Sequence, residues 1–139
     1  MTNADTPRWV KPAAIAALAF GGLTILSGGT ALFGGAGAQA LAGNAVPFVL
    51  WFNFLAGFAY VATAVGLLAG RSWAPNAALV IALASLAVFA AFAFAAATGT
   101  PFEPRTFGAM TLRAGFWLAI AIAARRTLFK TRHIEGTMT

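Results

Sequence analysis

The chain reads as an all-α membrane protein: a four-transmembrane-helix bundle, up-down-up-down, with the N-terminus and C-terminus both inside. Three observations lead there. Hydrophobic residues make up 60% of the 139 and charged residues only 9%, with a mean hydropathy of +0.83. Nine Lys/Arg and three Asp/Glu are too few to clothe a water-facing surface. The apolar residues come in four runs, each long enough to cross about 30 Å of hydrocarbon at about 1.5 Å per residue. The cations collect at the ends of those runs and form no stripe interleaved with aromatics, so the net charge of +6 points to a membrane and not to nucleic acid.

Met1 to Pro12 is a polar leader carrying Asp5, Arg8 and Lys11, with Trp9 between the two cations. Cations and an indole ahead of an apolar run make an interfacial anchor. The first span, about 13–35, contains Gly21, Gly22, Gly28 and Gly29 with Thr24, Ser27 and Thr30. In lipid such residues allow close helix contact, and the hydroxyls bond back to the helix's own carbonyls. Ala38-Gln39-Ala40 offers a small-x-small cleavage pattern, but the preceding run exceeds the usual core of a signal peptide and reads as a retained span. Gly34 to Asn44 is expected to be an uncharged Gly/Ala loop.

The second span, about 46–69, opens at Pro47 and closes at Gly70-Arg71-Ser72-Trp73, a second interfacial anchor. The third, about 75–97, starts at Pro75 and is mostly alanine with Phe89, Phe92 and Phe94. Gly99-Thr100-Pro101-Phe102-Glu103-Pro104 is a turn-rich loop. The fourth span, about 106–124, is expected to be stopped by Arg125, Arg126, Lys130 and Arg132. The whole of 1–139 forms a single integral membrane domain.

Orientation follows from the cations. Four spans put Arg8, Lys11, Arg71, Arg125, Arg126, Lys130 and Arg132 on one side, leaving Arg105 and the nearby Arg113 on the other. The basic side is cytoplasmic by the positive-inside rule. A transmembrane barrel is excluded because its strands alternate apolar and polar residues, whereas these runs are apolar on every side. Helices then satisfy the backbone in lipid. Pro47-Phe48 before Ala56-Gly57-Phe58, and Pro101-Phe102 before Ala114-Gly115-Phe116, give a weak echo of two parallel helical hairpins.

Polar groups inside the spans are the candidates for chemistry. Arg113 lies about 10 Å into the fourth span at 1.5 Å per residue, where a guanidinium either recognises an anion, snorkels to the headgroups, or pairs with an acid. Glu103, between two prolines at the start of that helix, suits the positive end of the helix dipole and is Arg113's expected partner. Trp117, one turn beyond Arg113, is placed for a cation–π contact. Asn53 and Tyr60 share a face of the second span, with Gly57 between them, and Asn53 calls for a partner on another helix. Gly66 and Gly70 form a GxxxG packing pattern. Arg125, Arg126, Lys130 and Arg132 are expected to bind lipid headgroups.

With no cysteine, thiolate catalysis, iron–sulfur clusters and Cys-based zinc sites are excluded. His133 is the only histidine and lies in the tail, and Met110 is the only methionine in a span, so no haem, metal or other cofactor is expected. Gly34-Gly35-Ala36-Gly37 follows no strand and is not a phosphate loop. No catalytic set is present either. The expectation is a small polytopic inner-membrane protein, non-enzymatic, acting as an accessory or assembly subunit. Its expected partners are membrane lipids and either further copies of itself or a larger membrane complex; nucleic acid is not among them. The alternative is a minimal transporter or channel for a small solute or ion, using Glu103 and Arg113 with Asn53 and Tyr60. The setting is the bacterial inner (plasma) membrane.

Overall fold

The computed structural model describes residues 7–137, with side chains as far as residue 127. They form α1 (Val10–Phe33), α2 (Gly35–Ala42), α3 (Pro47–Leu68), α4 (Ala74–Ala97) and α5 (Pro104–Thr137). There is no strand among the described residues. Four helices, α5 by its segment Pro104–Thr127, are long and apolar enough to cross a membrane, as in an integral membrane protein.

The helix ends follow from proline and glycine. Pro47 and Pro75 stand in the first turn of α3 and α4, and Pro104 is the first residue of α5, where a missing N–H removes no helical bond. Gly70 (φ 67°) and Gly99 (φ 100°) occupy the left-handed region just past α3 and α4. There Arg71 N–H bonds Gly66 O at 2.9 Å and Gly70 N–H bonds Leu67 O at 3.2 Å. Thr100 to Ala95 and Gly99 to Ala96 repeat the pattern at 3.0 and 3.2 Å. Both pairs satisfy carbonyls that the helix itself cannot, and only glycine adopts the required backbone without strain. Gly70 therefore ends a helix. Its companion Gly66 does pack, since a Cβ there would meet the Trp73 ring at 2.7 Å.

One sequence expectation fails here. The Gly/Ala segment after α1 is not a loop, because residues 35–42 form α2, which buries none of its residues. Alanine is the strongest helix former, and a helix satisfies its own backbone beside lipid. Ala38-Gln39-Ala40 lies inside it. The last helix itself continues beyond its apolar segment to Thr137. Arginine and lysine are good helix formers, so they end the apolar run and not the helix.

Small residues draw α1 and α3 together. The buried residues of α1 are Val10, Ala14, Ala17, Gly21, Thr24 and Gly28, in alternating steps of four and three, a seam of the coiled-coil kind. A Cβ on Gly57 would come within 2.6 Å of Ile25 Cγ1 and 3.2 Å of Gly21 O, and one on Gly28 within 3.1 Å of Phe54 Cβ. The backbones thus approach closely where side chains are absent. Thr24 Oγ1 donates to Phe20 O at 2.7 Å, Thr30 Oγ1 to Leu26 O at 2.6 Å, and Ser27 Oγ to Thr24 O at 3.3 Å, so the hydroxyls of α1 bond locally as expected. The Pro-Phe echo does not extend to packing: Gly57 is held in this crossing, whereas nothing lies within 4 Å of a Cβ on Gly115.

Helix α4 packs along α5 and, less extensively, against α3. One buried cluster joins Tyr60, Trp117 and Ile81 to the small residues of α1 and α4. A second gathers Val46, Val49, Phe92 and Met110, with Phe102 and Phe107 against it. By contrast, α1 and α5 meet through side chains: Trp9 Nε1 donates to Thr127 Oγ1 at 3.3 Å, and the rings of Phe20 and Phe116 lie 5.6 Å apart. Toward α2, residues of both helices line a common cavity.

Candidate functional site

Arg113 sits where the two clusters meet. Only 5% of it is exposed, and its side chain turns inward from α5. Nη1 donates to Asn53 Oδ1 on α3 at 2.5 Å and to Met110 Sδ, one turn back on α5, at 3.5 Å. The guanidinium carbon lies 5.5 Å from the centre of the Phe20 ring and 5.9 Å from that of Tyr60. These aromatic faces stabilise a desolvated cation by about 2 kcal/mol or more. Taking a charge out of water costs several kcal/mol even after relaxation. Its Nε is buried without a hydrogen-bond partner, and Nη2 makes no hydrogen bond among the described residues.

Both structural roles foreseen for Arg113 are overturned. It does not snorkel, because Asn53 and the two rings hold it inward. It does not pair with Glu103 either. Glu103 Oε1 accepts the Asn44 N–H at 2.8 Å and lies so close to Gly43 (φ 63°) that any Cβ there would collide with it. The acid thus fastens the α2–α3 turn to the start of α5. Arg105 acts beside it: Nη2 donates to Leu41 O at 2.8 Å and to Ala42 O at 3.4 Å, meeting the carbonyl end of α2 with a positive charge. Glu103 and Arg105 are a clasp for α2.

Glu103, Arg113 and Asn53 nevertheless border one space. A cavity of about 630 Å³ lies between α1, α2, α3 and the first turns of α5, with Arg105, Ser27 and Thr106 also on its wall. That is the size of a site for one small organic molecule. Its remaining lining is chiefly leucine and alanine. The acids of the chain are Asp5, Glu103 and Glu135, none of them within a span, so nothing on α1, α3 or α4 neutralises Arg113.

Tyr60 and Trp117 stand behind the arginine and off the cavity. Tyr60 is fully buried, stacks on Phe20 at 5.7 Å and meets Trp117 at 4.9 Å. Trp117 therefore supports the ring that faces Arg113 and does not itself supply the cation–π contact. The Tyr60 hydroxyl lies beside Ser85, yet it, Ser85 Oγ and Trp117 Nε1 are buried without a partner in hydrogen-bond geometry.

Phe20, Met110 and Arg105 were absent from the sequence-derived set. Met110 was legible as the residue three before Arg113 on the same helical face. Arg105 carried a signal as a cation on the side where cations are scarce. Phe20 carried none, being one of 13 phenylalanines. On the basic side, Arg125 and Arg126 are exposed on α5. Lys130, Arg132 and His133 have side chains outside the described residues, and Asp5 lies outside them altogether.

Comparison with protein-family models, with curated proteins and with solved structures found no match to this chain.

Proposed function

We propose that this chain is a non-enzymatic bundle of four up-down-up-down spans in a bacterial inner membrane, with both termini cytoplasmic, that binds and passes an anionic solute through the cavity beneath α2. The observation that carries this is Arg113, 5% exposed, bordering a cavity of about 630 Å³ and paired with no acid among the described residues, since Glu103 on the same wall accepts from the Asn44 N–H instead. A buried cation with unused donors gains from an oxyanion that satisfies them. Of the two roles considered from sequence, a minimal transporter gains support. Gly21, Gly28 and Gly57, small residues of the kind that serve close helix contact, meet neighbours within the chain. Gly22, Gly108 and Gly115 border open space, so association with a second copy or a larger complex stays the alternative.

The test is thermal unfolding of the purified protein in uncharged detergent, with a panel of small carboxylates, phosphate and organic cations. Anions at 100 times their Kd should stabilise the wild type by about 2.7 kcal/mol. Cations should have no effect, and Arg113→Gln should not respond. Equal responses in wild type and Arg113→Gln would overturn the proposal. Co-purification with a larger complex, with no anion response, would favour the assembly role. In proteoliposomes, flux of the stabilising anion should likewise vanish in Arg113→Gln.

A further inference from the structure

Resting on that anion-binding reading, we infer that the cavity takes an oxyanion-headed amphiphile directly from the bilayer, through the open seam between α1 and α5. The head is defined by donors. Because Asn53 Oδ1 accepts from Arg113 Nη1, the Asn53 amide NH₂ and Arg113 Nη2 are left as donors on two residues that both line the cavity. Two N–H donors on hydrogen-bonded residues, one of them charged, suit the oxygens of a carboxylate or of a phosphate ester. Ser27 and Thr106 on the cavity wall supply further hydroxyls.

The tail is defined by the walls. Leu23, Leu26 and Leu41 line the cavity, yet they are 65%, 68% and 80% exposed. The same side chains therefore bound the cavity and face the outside of the bundle, so the cavity is open along its flank. A hydrophilic anion gains nothing from leucine walls, whereas an alkyl chain gains with each CH₂ that it buries. At the level of α1 the outside of the bundle is hydrocarbon, where such chains reside. Helix α2, held by Glu103 and Arg105, contributes Ala38, Leu41 and Ala42 to the wall, and the exposed flank is the route.

The test uses bromine-labelled dodecanoate, followed by quenching of tryptophan fluorescence in uncharged detergent. Acetate is the short-chain competitor, and lysophosphatidylglycerol, a single-chain phosphate ester, the second arm. Saturable quenching is expected, with acetate competing at least 100-fold less well than unlabelled dodecanoate. Arg113→Gln should weaken binding at least tenfold and Arg113→Lys less. Ser27→Phe, which fills the cavity from an exposed position, should weaken it at least tenfold, whereas Ile15→Phe, exposed elsewhere on α1, should leave it unchanged. Preference for lysophosphatidylglycerol over dodecanoate identifies a phospholipid source, and the reverse a free carboxylate. Should acetate compete as well as dodecanoate, the amphiphile is wrong while anion binding stands. If no anion binds, both fall. Unchanged binding in a folded Ser27→Phe protein would overturn the lateral route.

Discussion

Arg113 of α5 and Asn53 of α3 are joined by a hydrogen bond of 2.5 Å across 60 residues of sequence, and this bond decides where the charge in the fourth span points. A charged hydrogen bond of this kind contributes about 1.5–3 kcal/mol. Asn53→Leu leaves the guanidinium without its oxygen acceptor and is expected to destabilise the protein by about 2 kcal/mol. The double variant Asn53→Leu/Arg113→Leu, which removes both partners, should be more stable than the single. Unfolding midpoints in detergent check both. A double variant that is the less stable of the two would show that the bond is not the main constraint on Arg113.

Glu103 and Arg113 have separate partners, so their substitutions should add. The stability changes of Glu103→Gln and Arg113→Gln are expected to sum in the double variant within about 0.5 kcal/mol, as for independent sites. A coupling above about 1 kcal/mol, measured by the same unfolding experiment, would place them in one network after all.

The α2 clasp has its own signature. In Glu103→Ala and Arg105→Ala the backbone N–H of Asn44 and the carbonyls of Leu41 and Ala42 lose their side-chain partners. Amide hydrogen exchange in residues 35–45 should rise at least tenfold, with little change in α3 or α4. Local opening reports such losses without global unfolding.

The crossing of α1 and α3 is sensitive at two neighbouring glycines in opposite ways. Gly57→Ala forces a Cβ to within 2.6 Å of Ile25 Cγ1 and 3.2 Å of a backbone oxygen, and is expected to cost about 1–3 kcal/mol by overpacking. Gly22→Ala meets nothing within 4 Å and should be neutral or slightly stabilising, since alanine is the better helix residue. Thermal unfolding of the two single variants separates them.

Orientation is checked by reporter fusions. A cytoplasm-active reporter should work at either terminus and at residue 72, and a reporter active only outside should work at residue 100. An external C-terminus would remove one span from the membrane.

By itself the sequence determined that the chain is helical and apolar enough to cross a membrane four times. It also marked the helix starts at Pro47, Pro75 and Pro104, and made the hydroxyls of α1 bond their own carbonyls. Those features are local: ring closure, run length and short side chains act within a turn or two. It did not reveal α2, because an alanine-rich stretch of eight residues looks like a loop until its C-terminal end is held, and Glu103 and Arg105 hold that end from 59 to 64 residues away. Nor did it reveal which face of each span turns inward. In lipid the outward face is as apolar as the core, so the alternation that orients a helix in water is missing. Tertiary structure alone decided that Arg113 turns from the headgroups toward Asn53, Phe20 and Tyr60. Burying a guanidinium requires an acceptor and polarisable rings gathered from other helices, and only the packed bundle brings them together.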